Sequence, residues 1–397
     1  MLFTQEDVEA YIEQEDVKFI RLAFCDLTGK QKNISIMPQE LGRAFSQGIS
    51  FDASAVAGFG DVVESDLLLF PIPSTLSAMP WRPSRGKVVR MFCEIRYPDG
   101  RPFPLDCRAL LKQAVRAGEE MGISVQIGGE FEFYLFKTDE DGNPTAQPFD
   151  HAGYMDMAPE DKGENVRREI CLTLEQIGIT PECSHHEEGP GQNEIDFRYS
   201  DALTAADNAL LFASTVRAVA VSNGLYADFS PKPIAGEAGN GLHINISLQS
   251  REESVSQAFM AGILCHIREM TAFLNPCEAS YRRLGEKKAP RYVTWSHQNR
   301  SQLIRIPAAQ GQYRRMELRS ADPSVNPYLA FALIIFAGLD GVERGLTPPE
   351  PTNINLYTAG PAVTEKLEVL PGSLSEAKRI ARESDFIRSV LPEEMLK

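Results

Sequence analysis

The stretch GGEFEFYLF, residues 128–136, alternates acidic and apolar residues over its first half. In a β-strand, residues two apart point to the same face, so Glu130 and Glu132 share one face, and Phe131 and Phe133 share the other. Taken alone, the segment also fits an exposed strand whose acids are solvated. The alternation therefore predicts a strand, and its neighbours decide whether the acids form a site.

Three further segments repeat this pattern, each with charged or polar residues on one strand face and apolar residues on the other. They are GQNEIDFRY (191–199) with Glu194 and Asp196, HINIS (243–247) with His243, Asn245 and Ser247, and RRMELRS (314–320) with Arg315, Glu317 and Arg319. If the four strands belong to one sheet, its polar side forms a highly charged wall.

Such a wall needs cations, because adjacent carboxylates raise one another's pKa. Carboxylate oxygens with an occasional imidazole suit Mg²⁺ or Mn²⁺, and arginines suit a phosphoryl group that gains charge during transfer. The combination predicts metal-assisted phosphoryl transfer. The sequence contains no G-x-x-x-x-G-K-[ST] motif, so a P-loop does not hold the nucleotide.

The segment SHHEEGPGQNE, residues 184–194, adds two histidines and further acids around a Gly-Pro-Gly turn. A surface loop with solvated histidines is one interpretation. We favour a ligand loop, because its acids Glu187 and Glu194 flank the turn.

Length and composition bound the architecture. A chain of 397 residues is too long for one small core, and we expect two domains of unequal size. We predict that residues 1–98 form a small domain of mixed helices and strands. We predict that residues 99–397 form a larger domain in which an antiparallel sheet is backed by helices. The expected fold class is α+β.

Charge and cysteine usage exclude several functions. The net charge of −15 argues against nucleic-acid partners. No apolar run reaches about 18 residues, so we expect no membrane span, and the N-terminus resembles no secretory signal. The seven dispersed cysteines predict reduced thiols. We therefore expect a cytoplasmic protein.

These segments resemble the type I glutamine synthetases, over about residues 15–360. The match extends to VKFIRLAFCDLTGKQKNISI (17–36), FSPKPIAGEAGNGLHINISL (229–248), NRSQLIRIP (299–307) and ADPSVNPYLAFALIIFAGLDG (321–341). The resemblance implies an N-terminal β-grasp domain (1–98), a catalytic domain (99–397), and a homo-oligomeric ring with active sites between adjacent subunits.

The resemblance also implies a role for each polar residue. By this resemblance, Glu132, Glu187 and Glu194 correspond to the ligands of one metal site. Glu130, His243 and Glu317 correspond to the ligands of the other. Arg300 resembles the arginine that contacts the γ-phosphate. Arg305, Arg315 and Arg319 resemble the family's other arginines that contact the phosphates and the substrate carboxylate. Asn245 and Ser247 fall on the ATP side, Arg283 and Gly239 in the glutamate pocket, and Asp52 in the acceptor site of a neighbouring subunit.

The implied reaction has two steps, with ATP as a substrate and two or more Mg²⁺ or Mn²⁺ ions. ATP first phosphorylates the γ-carboxylate of a glutamate-like substrate. An amine then attacks the acyl phosphate.

The second step departs from the family pattern. In YRRLGEKKAP (281–290), Lys288 stands where the family has an acid that binds ammonium, and Glu286 does not align with that position. A fixed positive charge about 4 Å from a cation, at an effective dielectric near 20, is repelled by about 4 kcal/mol. Ala55 replaces a serine of the same site, Ala238 an asparagine and Asn245 a histidine.

Three functions stay open at this point. The first is a ligase whose acceptor is an amine other than ammonium, and the second is a plain glutamine synthetase in which another residue supplies the acid. The third is a low-activity relative that binds nucleotide and metal and acts as a regulator.

Overall fold

A computed structural model describes residues 3–60, 63, 65–81, 86–249, 253–309 and 311–396. The first helix, α1 (Gln5–Gln14), begins where the Thr4 hydroxyl accepts a hydrogen bond from the Asp7 backbone N–H, while the Asp7 side chain accepts from the Thr4 N–H. This reciprocal cap satisfies donors that the first helical turn leaves free.

The N-terminal part is a twisted sheet with two helices. Its further elements are β1 (Val17–Cys25), β2 (Gln31–Ile36), α2 (Leu41–Gln47), β3 (Ile49–Asp52), β4 (Asp66–Pro71), β5 (Ser77–Ala78) and β6 (Lys87–Arg96). The strand order is β2-β1-β6-β4-β3, with β5 beside β6. Only the β1–β6 pairing among these is parallel.

The larger part alternates helices with strands. Its elements are α3 (Cys107–Glu120), β7 (Ser124–Thr138), β8 (Pro144–Pro148), α4 (Glu164–Gln176), β9 (Pro181–His186), β10 (Gln192–Phe197), β11 (Ser200–Asp201), α5 (Ala202–Ser222), β12 (Leu225–Asp228), β13 (Leu242–Gln249), α6 (Glu253–Leu274), α7 (Glu278–Arg283), β14 (Trp295–His297), β15 (Ile304–Ile306), β16 (Met316–Leu318), α8 (Pro327–Glu343), α9 (Pro361–Thr364), α10 (Leu374–Glu383) and α11 (Asp385–Val390).

The four strands predicted to carry the polar wall are neighbours in one sheet. Its order is β14-β15-β16-β13-β7-β10-β9, so β16, β13, β7 and β10 are consecutive, and β8, β11 and β12 also pair with β7. The expected antiparallel pairing holds except at one edge, where β14 and β15 run parallel. Residues 298–303 connect them and can return along strands this short.

Aromatic side chains hold the apolar face of this sheet against the helices. Phe131 and Phe133 of β7 are buried, and the Phe131 ring lies 5.1 Å from that of Phe212 on α5. Phe197 of β10 joins the same group, 5.5 Å from Phe212. Such aromatic pairs stabilise beyond the area they bury. The predicted α+β fold is therefore confirmed, with the acids facing away from this core.

The two parts of the chain are packed together. The turn between β1 and β2 reaches the start of α8, where the Asn326 side chain donates to the Asp26 carbonyl at 3.1 Å. Gly29 in this turn has a φ of +82°, and a Cβ there would lie 2.7 Å from the Val325 carbonyl oxygen. The boundary at residues 98 and 99 stays a prediction.

Two other expectations concern the whole chain. Across the residues with described structure, no helix is both long and apolar enough to cross a membrane. All seven cysteines are unpaired, as their spacing predicts.

Helices α6 and α8 approach each other so closely that only glycine fits at their crossing. A Cβ on Gly262 would lie 2.0 Å from the Ala337 carbonyl oxygen and 2.8 Å from the Gly341 Cα. Both are backbone atoms, so no side-chain rotation relieves the clash.

We expect Gly262→Ala to destabilise the protein by about 1–3 kcal/mol or more, since overpacking forces backbone shifts. The matched control is Gly42→Ala on α2, where nothing lies within 4 Å of the new methyl group. There the lower backbone entropy of alanine should stabilise by about 0.5–1 kcal/mol. Thermal unfolding checks both, and equal shifts for the two variants would contradict the packing argument.

Candidate active site

Strand register brings the acids together across β7. Glu130 lies opposite His243 on β13 and opposite Asp196 on β10, and Glu132 lies opposite Glu194 on β10. Cross-strand partners are about 5 Å apart at Cβ. The sheet therefore converts four separate sequence segments into one cluster.

The first group of possible metal ligands is Glu130, His243 and Glu317. One ligand atom from each lies within 4.8 Å of the other two. His243 Nδ1 lies 3.1 Å from Glu130 and 3.7 Å from Glu317, and Asn245 donates to Glu130 at 2.8 Å. Burial alone would raise the pKa of Glu130, but the hydrogen bond and charge of His243, with the Asn245 bond, lower it to about 2.

Glu317 is held between two arginines. It has no exposed surface, and its carboxylate pairs with Arg319 and, at 2.5 Å, with Arg305. Burial by itself raises the pKa of Glu317, but the charges of Arg319 and His243 outweigh burial and keep the pKa below its usual value. Glu317 is therefore ionised and fixed in direction. Arg305, expected at a phosphate, has this carboxylate as its partner here.

The second group is centred on Glu132 and Glu194. One ligand atom of each lies within 4.8 Å of the other and of a His243 ring nitrogen. One carboxylate oxygen of Glu132 accepts from the Gly241 N–H at 2.8 Å and from the Gln192 amide at 3.0 Å. These bonds leave its other oxygen facing Glu194 and His243, 3.9 Å from the imidazole.

The loop between β9 and β10 brings Glu187 to the same cluster. His185, Glu187 and Glu194 have ligand atoms within 4.8 Å of one another. Behind the loop, the buried His186 bridges the Asp150 carboxylate at 2.8 Å and the Glu187 carbonyl at 2.6 Å. This geometry agrees with a ligand loop, although the ligand role of Glu187 stays a prediction.

The electrostatics of the cluster favour a bound cation. Burial, with the charges of Glu132 and Glu194, raises the pKa of Glu187 to about 7. Burial, with the charges of Glu194 and Glu130, raises the pKa of Asp196 to about 8. A divalent cation would relieve this repulsion. The oxygen-rich donor set with one imidazole therefore fits Mg²⁺ or Mn²⁺.

A cavity of about 200 Å³ opens beside the second group of acids. Arg283, Arg300, Arg319 and Gly239 line it together with the acids. Arg283 is buried and donates to the backbone carbonyls of Ser320 and Arg319 at 2.9 and 3.4 Å. Burial lowers the pKa of Arg283, which an anionic ligand in the cavity would reverse.

Gly239 stands where any side chain would clash. A Cβ there would lie 2.4 Å from the Pro231 carbonyl oxygen and 2.9 Å from the Arg283 Cγ. The absence of a side chain at this position therefore sets where Arg283 lies. The backbone carbonyl of Gly239 accepts a hydrogen bond from the Gln192 side-chain amide at 3.2 Å.

The segment that departs from the family pattern lies at the wall of this cavity. Lys288 pairs with Glu188 at 2.7 Å, and its ammonium lies 4.9 Å from the centre of the Tyr154 ring. Glu286 is directed elsewhere, to Lys232 at 2.8 Å. Lys288 is thus the charged side chain of this segment that faces Tyr154 and Glu188.

On the other side of Glu130, two cavities of about 210 and 700 Å³ share part of their lining along the sheet. Ser247 and Arg315 line both, and Arg315 donates to the Asn245 amide oxygen at 2.8 Å. The larger cavity also has apolar walls that include Trp295 and Ile246. This arrangement suits an aromatic base in the large cavity and phosphates near the arginines and acids.

Residues 104–397 match the description "Glutamine synthetase, catalytic domain", and residues 16–98 match "Glutamine synthetase, beta-Grasp domain". The chain belongs to the glutamine synthetase family. It is accordingly an ATP-dependent ligase that joins glutamate to a nitrogen nucleophile, and membership implies the use of ATP and divalent metal. The resemblance seen in the sequence is confirmed.

Known relatives cover almost the whole chain. It is 44% identical to glutamine synthetase of Methanosarcina mazei and 42% identical to that of Clostridium saccharobutylicum, each over 98% of this chain and 91% of the relative. A solved GmaS/ADP complex aligns with a TM-score of 0.89 at 29% identity, over 98% of this chain and 93% of that one. Plasmodium falciparum glutamine synthetase shares the fold, with a TM-score of 0.87 at 24% identity over 99% and 94%.

Two residues that support the site, Gln192 and Tyr357, were not predicted from the sequence. Gln192 shares a strand face with Glu194, so extending the period-two pattern by one step would have found it. The Tyr357 hydroxyl donates to the Arg300 carbonyl at 2.8 Å and to the Lys288 carbonyl at 2.6 Å. No local sequence pattern predicts these contacts. Asp52, by contrast, is exposed in the N-terminal sheet, where its carboxylate caps a turn at Ser54.

We expect Mg²⁺ or Mn²⁺ to raise the melting temperature, because binding to the folded state alone adds about 2.7 kcal/mol at a hundredfold excess over Kd. Glu132→Gln should reduce this gain while stabilising the metal-free protein, since it removes one repelling charge and keeps an acceptor for Gly241 and Gln192. Thermal unfolding with metal and with a chelator measures both effects.

The control is Glu383→Gln on α10, an exposed acid paired with Arg379. It should leave the metal-induced shift unchanged. If Glu132→Gln also leaves that shift unchanged, the carboxylates do not bind the ion.

Proposed function

We propose that this protein joins the γ-carboxylate of glutamate to an amine other than ammonium, through a γ-glutamyl phosphate. The observation that carries the proposal is the ammonium of Lys288 at the cavity wall, 2.7 Å from Glu188 and facing Tyr154. An acid in that position would attract ammonium, whereas a lysine repels it.

Glutamate binding falls to Arg283 and Gly239. The guanidinium of Arg283 lies in the cavity that the acids and Arg319 also line, and it binds the α-carboxylate by charge-assisted hydrogen bonds. Its backbone anchors keep it in one orientation. The γ-carboxylate then lies toward the acids, where phosphoryl transfer takes place.

Phosphate binding falls to the arginines that face the cluster. Arg300 and Arg319 line the glutamate cavity, and Arg315 lines the cavities beyond Glu130. They stabilise charge that spreads over the transferred phosphoryl group. Arg305 acts on the same group through Glu317, and Asn245 and Ser247 lie on the nucleotide side.

The metal ligands we propose are Glu132, Glu187 and Glu194 in one group and Glu130, His243 and Glu317 in the other, for two or more Mg²⁺ or Mn²⁺ ions. The ligand atoms of the second group lie within 4.8 Å of one another, and Glu194 is equally close to Glu132 and, separately, to Glu187. Bound metal would supply Lewis-acid stabilisation of phosphate oxygens. The protein's own part is to aim these carboxylates by the bonds from Asn245, Gln192 and the Gly241 N–H.

The acceptor side is completed by a second copy of the chain. We propose a homo-oligomeric ring in which Asp52 of one subunit reaches the acceptor site of its neighbour. The exposure of Asp52 and its absence from the residues that line the described cavity around Glu187 support this arrangement.

A plain glutamine synthetase is the second candidate, because the relatives that are 42–44% identical carry that name. In that case another acid, with Glu188 beside Lys288 as the nearest choice, offsets the lysine charge. The two functions share the formation of the γ-glutamyl phosphate. They differ only in the amine that attacks it.

We expect Gly239→Ala to reduce kcat/KM for glutamate by about 10- to 100-fold, since a shift of about 1 Å in a binding group has effects of that size. The KM for ATP should stay the same. Gly360→Ala is the control, because nothing lies within 4 Å of its new methyl group. An unchanged glutamate KM in Gly239→Ala would remove Arg283 from the glutamate pocket.

We expect an organic amine to exceed ammonium in kcat/KM by tenfold or more, which corresponds to about 1.4 kcal/mol of transition-state binding. Phosphate release from ATP with glutamate and Mg²⁺ measures this for ammonium, methylamine, ethanolamine, putrescine and hydroxylamine. Lys288→Glu should raise the activity with ammonium.

Two results would change the conclusion. If ammonium gives the highest kcat/KM in the wild type, the protein is a plain glutamine synthetase. If no amine sustains phosphate release, the protein is a nucleotide- and metal-binding relative with a regulatory role.

A further inference from the structure

The side chain of Lys288 occupies a small cation-binding place built from two other residues. Its ammonium contacts the Glu188 carboxylate at 2.7 Å and lies 4.9 Å from the centre of the Tyr154 ring. The Tyr154 ring is itself packed edge-on against His185, with centroids 5.3 Å apart. A carboxylate beside an aromatic face is an arrangement that binds organic ammonium groups.

The group that fills this place is chemically a primary alkylammonium, because a lysine side chain ends in CH₂–NH₃⁺. The place also borders the reaction centre, since Lys288, Glu188, Tyr154 and Glu187 line the same cavity of about 200 Å³. Lys288 is therefore a built-in example of the ligand class that fits there.

The lysine can leave without unfolding the segment that carries it. Its backbone carbonyl accepts from the Tyr357 hydroxyl, and the next residue, Ala289, is buried. The side chains of Lys288 and Glu188 are, in contrast, 48% and 40% exposed. Ion pairs this exposed are weak, so a substrate cation can compete with the lysine.

We propose that Glu188 and Tyr154 form the acceptor site, and that the Lys288 ammonium occupies it until a small primary alkylammonium displaces it. The inference rests on the proposed function and names its acceptor class. The carboxylate binds the charged nitrogen, and the ring contacts the first carbon. Ammonium has no carbon for that second contact, so it competes less well with the lysine.

Steady-state kinetics with methylamine test the exchange. Lys288→Met keeps the length of the side chain and removes its charge, so the KM for methylamine should fall about fivefold. Glu188→Gln should raise that KM by a similar factor. In the double variant the Lys288→Met change should have no further effect, because the site it frees no longer holds a cation.

Two controls separate this exchange from other effects. Lys378→Met removes the same charge from an exposed position on α10 that does not line the cavity, and should change the methylamine KM less than twofold. Hydroxylamine, which is mostly uncharged at neutral pH, should keep its KM in Glu188→Gln. An unchanged KM for ATP reports that the variants are folded.

The inference is overturned if Lys288→Met leaves the methylamine KM unchanged, or if Glu188→Gln weakens hydroxylamine as much as methylamine. Either result leaves the proposed function standing as long as the wild type prefers an organic amine. The proposed function fails separately, when the wild type prefers ammonium or forms no hydroxamate from hydroxylamine.

Discussion

The mutual repulsion of carboxylates on three strands of one sheet is the constraint on which the rest of the site depends. Glu130, Glu132 and Glu194 are brought together by strand register, and burial strengthens their repulsion. The protein offsets part of it with His243 and with Arg319 beside Glu317. The negative charge that these groups leave uncompensated requires divalent cations. Phosphoryl transfer uses the positive charge of the same cations.

Hydrogen bonds to the carboxylates determine what each one can bind. Asn245 takes one oxygen of Glu130, Gln192 and the Gly241 N–H take one oxygen of Glu132, and Arg305 holds Glu317. In each case the bond fixes the direction of the group, and losing such an outer contact typically costs a metal site about 10- to 100-fold in affinity or activity. The glycines act similarly through shape, since Gly239 leaves room for Arg283.

The acceptor site that we propose is organised differently, by exposed groups that form a weak ion pair. Lys288 and Glu188 form a charge pair at the mouth of a cavity whose deeper walls are buried and fixed. In the function we propose, a rigid activation site beside a replaceable ion pair separates the two steps of the reaction. The first step needs fixed charges, whereas the second needs access for an amine.

The sequence by itself determined the strands, the side of the sheet on which the acids lie, and the family, because a period of two and long ordered segments are local properties. It predicted two metal groups, Glu132 with Glu187 and Glu194, and Glu130 with His243 and Glu317. The ligand atoms of Glu130, His243 and Glu317 lie within 4.8 Å of one another, and those of Glu132 and Glu194 lie equally close to His243, while the ligand roles stay predictions. Only the tertiary structure decided that Lys288 meets Glu188, that Arg305 meets Glu317, that Tyr357 supports two segments, and that β14 and β15 run parallel. These contacts join segments of the chain that no periodic pattern relates, so they exist only once packing has brought those segments together.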